Sequence, residues 1–187
     1  MEIGKTLYVT DRKGWRAWLE KHFESEPEIW LIYPKQATGK PCIVYNDAVE
    51  EALCFGWIDS IRKSLDEDHS VQRFSPRRSK SSFSQQNIER LNWLAENELI
   101  HPSVLPSVQP ILEQEFIFPP DIIAAIQENA QAWQHYQNFS PAYQRIRVAY
   151  IDSARARPEE FDKRLVNFIH KTAENKQIGF GGIDKYF

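Results

Sequence analysis

Prolines at 102, 106 and 110 recur at every fourth position, and they restrict the fold of this 187-residue chain more than any other feature. Each lacks an amide donor, and each ring clashes with the carbonyl one helical turn back. The segment 101–110 therefore cannot be helical throughout. Before it, short apolar runs alternate with helical periodicity; after it, the periodicity is helical only. The pattern predicts an α+β fold: a core over 1–100, a proline-rich connector over 101–119, and an all-helical part over 120–187 packed on that core. The expected sheet is small and antiparallel, with flanking helices.

In the first part, Thr10 and Asp11 open a helix that places Trp15, Trp18, Leu19 and Phe23 on one face. The run EIWLIYPK, residues 28–35, is apolar on both faces and reads as a central strand. CIVY, residues 42–45, offers a second strand; Asn46 or Asp47 then caps a helix, Asp47 forming a capping box with Glu50, that ends at Gly56. In that reading Asp47, Glu50 and Glu51 are a cap and a solvated face. Trp57 to Leu65 and Val71 to Ser75 make a hairpin. A serine link, 79–84, enters a helix bearing Ile88, Leu91, Leu94, Ala95 and Leu99 on one side. Beyond the connector, Pro120, Ser140-Pro141 and Pro158 each mark a helix start. The tail GFGGIDKYF is expected to dock on the body through its aromatics.

Composition narrows the function classes. Aromatic residues make up 13%, enough for a substantial core. The net charge is −3, which disfavours a protein built to coat nucleic acid or an anionic membrane. Two cysteines, Cys42 and Cys54, read as reduced core thiols. No apolar run approaches a membrane span, and residues 1–10 hold no apolar signal core, so a soluble cytoplasmic protein is expected. The five histidines form no metal-spaced pair, and no phosphate loop, dinucleotide fingerprint or nucleophile elbow occurs. No metal and no cofactor is expected.

The chemistry concentrates between Tyr45 and Asn87. Strict alternation puts Trp57, Asp59, Ile61, Lys63 and Leu65 on one face of their strand. An aspartate in a strand needs a partner, and Arg73 on the hairpin mate is the expected one. RFSPRRSK, residues 73–80, then carries four cations and no acid. Arginine forks suit carboxylates and phosphates. If Ser82 or Ser84 caps the following helix, its unpaired amides add to the same attraction. The predicted ligand-binding set is Trp57, Asp59, Lys63, Arg73, Arg77, Arg78 and Asn87, around a small anionic molecule.

AVEEALCFGWIDS (48–60), RFSPRR (73–78) and the serine link into Asn87 resemble the YdeI/OmpD-associated family, also called OmdA-like or bacteriocin-protection proteins. The helical half fits through Pro120-Asp121, Tyr143 to Arg145, Ile151 to Ala154 and Lys163 to Leu165. The chain departs from the family at Leu99 to Pro102, where a glycine turn is usual. It departs again at Glu159 to Phe161, where an arginine is missing, and at Phe83, where tryptophan is expected. The resemblance implies a soluble bacterial stress-response protein linked to tolerance of bacteriocins and antimicrobial peptides. It implies no catalytic mechanism.

Two other readings compete with the anion-binding module. An enzyme would use Asp59 or Glu50 as general base in the same cleft. An interaction domain would present either a basic stripe joining 73–80 to Arg145, Arg147, Arg155 and Arg157, or an acidic groove from Asp66-Glu67-Asp68 with Glu50 and Glu51 for a cationic peptide partner. Nucleic acid is the less expected partner, and oligomeric state is not legible.

Overall fold

Residues 2–78 and 81–179 are described by a computed structural model. The chain divides into one unit of Met1–Ser82 with Leu91–Pro110 and a second of Phe83–Arg90 with Ile111–Phe187. Lys80 of the basic run and the tail 180–187 lie outside the described residues.

The first unit is α+β. It contains β1 (Thr6–Leu7), α1 (Arg12–His22), β2 (Ile29–Pro34), α2 (Tyr45–Cys54), β3 (Trp57–Ser64) and β4 (His69–Pro76). The sheet order is β1-β2-β4-β3. β2, β4 and β3 pair antiparallel, whereas β1 runs parallel to β2 and makes the sheet mixed. Two residues are too few to show a period, so β1 left no sequence signal. β2 lies inside the sheet and buries Ile29, Trp30 and Leu31, as its two-sided apolar run requires. The Asp11 side chain accepts from the Gly14 amide and starts α1 as expected. Trp15 stacks on Trp18 at 5.3 Å and meets Phe74 edge-on at 5.5 Å.

CIVY does not form a strand. Ile43 makes one backbone bond to Val9, and Tyr45 is already the first residue of α2. Asp47 is not the cap either: the N-cap is Val44, which offers no side-chain acceptor. The carboxylate of Asp47 instead meets the Arg12 guanidinium at 3.3 Å.

That contact belongs to a charge cluster between α1 and α2. Arg12 also reaches Glu50 at 2.8 Å and Glu51 at 2.7 Å, and Arg16 holds the other Glu51 oxygen at 2.9 Å. Glu50 is fully buried and Glu51 nearly so. The expected solvated face is therefore an interior ion network, which takes Glu50 and Glu51 out of the acidic groove and leaves Asp66, Glu67 and Asp68 exposed. Burial alone would lower the Arg12 pKa, but the bonds and charges of Glu51 and Glu50 outweigh it and leave it raised.

β3 departs from strict alternation. Asp59 pairs with Phe74, yet Arg62 pairs with Gln72, so β3 spends three steps where β4 spends two. The extra residue is a β-bulge, and it reverses the facing of everything after it. Asp59 and Arg62 share a face, with Gln72 bonded to Asp59 and Arg62 lying over Tyr33. Lys63 turns to the other face and lies over Trp30.

Between Pro102 and Pro110, α4 (Leu105–Leu112) places Pro106 in its first turn, where no amide is missed, and tolerates Pro110 inside. α3 (Gln85–Glu96) is shared between the units at Arg90 and Leu91.

The second unit is helical: α5 (Pro120–Gln127), α6 (Ala130–Gln137), α7 (Pro141–Asp152) and α8 (Pro158–Ala173). Pro120, Pro141 and Pro158 each sit in a first turn, as their positions predict. α6 was not foreseen, although its start is marked by Asn129, whose side chain accepts from Ala132 at 2.9 Å. Ile122, Ile126, Tyr136, Tyr143, Val148, Ile151 and Phe168 form the core.

Two predictions follow from the first unit. Arg12→Met removes the guanidinium that the buried Glu50 and Glu51 share and is expected to remove about 3–5 kcal/mol of stability, read from the urea midpoint. Cys54 is buried, and burial pushes its thiol up to about 12. Near pH 8 the folded chain should react with one equivalent of a thiol reagent, at the half-buried Cys42, and the denatured chain with two.

Candidate functional site

The side chains expected to frame an anion pocket in the first unit are engaged within the fold. Trp57 is buried, donates its indole N–H to the Phe23 carbonyl at 3.0 Å and meets Trp18 edge-on. It is a core residue and no ligand wall. Arg73 does not hold Asp59; its Nε donates to Glu28 at 2.7 Å, with Ser60 and Ser75 at 3.2 Å. Trp30 donates to the other Glu28 oxygen at 2.9 Å. These two bonds, Trp30 first, hold the Glu28 carboxyl below the usual range.

Asp59 accepts instead from the Tyr45 hydroxyl at 2.6 Å and the Gln72 amide at 3.3 Å. Glu50, the other carboxylate considered as a base, is locked by Arg12. Arg77 donates to the Ser81 carbonyl and hydroxyl and to the Ser82 carbonyl, all within 3.2 Å, so it pins the serine link. Arg78 is exposed. Asn87 lies in the second unit, where its Oδ1 accepts from Arg90 at 2.8 Å. The hairpin thus supplies a cationic surface whose strongest donors already have acceptors.

The helix-start half of the expectation is met. The Ser84 carbonyl accepts from Asn87 and Ile88, and its hydroxyl caps the Asn87 amide at 3.4 Å. Ser84, Gln85 and Gln86 line a cavity of about 360 Å³ in the second unit. The arginine it shares is Arg147, not Arg77.

Arg147 stands on α7 and is only 9% exposed. Of the other arginines of the expected basic stripe on this side, Arg145 grips Glu89 with two bonds of 2.7 Å, Arg155 grips Asp121 at 2.8 and 2.9 Å, and Arg157 is exposed. Among the described residues Arg147 makes no ion pair, and its buried Nε has no partner at all. Its guanidinium lies over the rings of Tyr143 and Tyr150, at 5.8 and 5.3 Å. Burial lowers its pKa, and the two tyrosines only partly oppose this. It remains a cation at neutral pH.

A second cavity of about 260 Å³ is also lined by Arg147, together with Tyr150, Lys163, Arg164, Asn167 and Glu160. Three cations face one carboxylate there, and Glu160 is bound to Arg164 at 2.7 Å. Arg164 stacks at 3.9 Å over the Tyr150 ring and bonds the Tyr150 carbonyl. The chain after α8 crosses this end of Arg147. Ile178 exchanges hydrogen bonds with the Tyr143 hydroxyl, and Gly179 follows at φ +134°. A Cβ on Gly179 would lie 3.0 Å from the Arg147 guanidinium, so only glycine passes there.

Such a site suits a small anion: a planar fork desolvated in advance, a net positive rim and donors from Asn167. Among the described residues no cluster of three or more histidine, cysteine or acidic side chains suits a metal ion. The signal for Arg147 was present in the sequence but unread. Tyr143 and Tyr150 stand one helical turn away on either side, and no acid occupies the neighbouring turns.

Residues 7–107 match the family model described as a domain of unknown function, DUF8412. Residues 115–175 match the model described as Bacteriocin-protection, YdeI or OmpD-Associated, OmdA. Arg147 and all the residues named in the second cavity except Ile178 fall in that stretch. No curated protein and no solved structure matches the chain.

An unpaired buried cation burdens the fold. Arg147→Met, of similar length and apolar, is expected to unfold at the same or a higher temperature, gaining about 1 kcal/mol in buffer without added anions. A lower unfolding temperature would make Arg147 a structural residue.

Proposed function

The chain belongs to the DUF8412 family, with an OmdA-type domain in its second half, and from that premise we propose that it is a binding module for a small anionic molecule held at Arg147. One observation carries the reading: a guanidinium removed from water, with an orphaned Nε and no carboxylate among the described residues. Folding leaves such a group only where something else repays the lost hydration. Lys163 and Arg164 add positive charge around it, and Asn167 adds polar donors. The protective role named in the family description is, in this reading, exercised through that ligand. Two unpaired thiols and the composition support a cytoplasmic setting for it. Among the described residues no helix is long and apolar enough to cross a membrane.

A polyanion fits less well. Arg145 and Arg155 are neutralised by Glu89, Asp121 and Asp152, which leaves no row of unsatisfied cations along α7.

Thermal unfolding in inorganic phosphate, sulfate and acetate tests the reading. An anion at about 100 times its dissociation constant should add about 2.7 kcal/mol to the wild-type chain and nothing to Arg147→Met. Equal responses from the two chains, or no response from the wild type, would refute it.

A further inference from the structure

The two cavities at Arg147 are neighbours that differ in the residues of their rims. They share Arg147 and Tyr150 as a common wall. The smaller is ringed by charge. The larger is walled by Phe83, Phe116, Ile117, Pro119 and Ile146, with the start of α3 along one side. Phe116 is held edge-on against Phe118 at 4.8 Å, so its ring is a fixed surface. Ile117 is 83% exposed beside it, the most exposed large apolar side chain among the described residues. Asp152, the one acid lining this side, is bound to Arg155.

We propose that the ligand is an aromatic carboxylate: its carboxylate lies against the Arg147 fork, and its ring lies over Tyr150 into the cavity walled by Phe116 and Ile117. The inference rests on the anion-binding reading and adds the ligand's apolar body. The physical basis is the pairing of one desolvated cation with an adjoining hollow that has an aromatic and aliphatic wall beside the polar start of α3. A bare inorganic anion uses the fork and leaves Ile117 and Phe116 in water. An aryl body covers them and gains the burial of that surface. Tyr150 lines this cavity and keeps about half of its surface exposed, so its uncovered part is open to the ligand's ring.

Calorimetric titration with acetate, benzoate and 2-naphthoate measures this directly. The wild-type chain should bind 2-naphthoate at least about tenfold tighter than acetate, with benzoate between them. Ile117→Ser changes an exposed side chain and leaves the fork intact. It should leave acetate affinity unchanged and reduce the 2-naphthoate advantage to about threefold or less. If acetate and 2-naphthoate bind equally, or if Ile117→Ser keeps the full advantage, the aryl subsite is overturned while anion binding stands. If none of the three binds, anion binding at Arg147 fails and the aryl subsite fails with it.

Discussion

Ion pairing between α1 and α2 is the contact on which the first unit depends. Arg12 and Arg16 stand one turn apart on α1, and Asp47, Glu50 and Glu51 occupy one side of α2. Taking two carboxylates out of water is expensive unless each oxygen finds a donor. Here Glu51 is gripped by two guanidiniums, and Glu50 by one. The network sets the register of the helix pair, because a shift of either helix by one residue would separate donors from acceptors. Trp15 reinforces the same placement by donating its indole N–H to the Ala48 carbonyl at 3.0 Å. With α1 and α2 so placed, the strand that follows Gly56 begins with Trp57 in the core.

Eight of the arginines divide by what they face. Arg12, Arg16, Arg73, Arg145, Arg155 and Arg164 each meet a carboxylate. Arg77 meets carbonyls of the serine link. These side chains hold elements together, and their charges are neutralised or their donors spent. Arg147 has two aromatic faces and the backbone of Gly179, and no acid among the described residues. A cation of that kind is poor structural material, since its desolvation is not repaid within the fold. The chemical interest of the second unit follows from this contrast.

Much of the element order was legible. Proline at the first turn of α5, α7 and α8, the aspartate before α1, and the two-sided apolar run of β2 are local signals whose physics acts within a few residues. Where reading failed, a distant partner had won. Asp47 has the residue type of a cap, yet Arg12 takes its carboxylate. Arg73 sits opposite Trp30 in the ladder, which brings Glu28 rather than Asp59 to it. The bulge in β3 reversed the faces of Arg62 and Lys63, and no single residue type announces a bulge of this kind. The expected anion site combined a helix start with an arginine; Ser84 does cap the Asn87 amide, whereas Arg77 bonds the serine link.

By itself the sequence determined the class of fold, the proline-marked helix starts and the family of the second half. Those properties follow from backbone sterics, from periodicity and from composition, all of which act locally or in sum. Only the tertiary structure decided that the buried Arg147 meets no carboxylate among the described residues. Neutralisation by a carboxylate depends on separations of about 3 Å between groups tens of residues apart, and no local pattern specifies such distances.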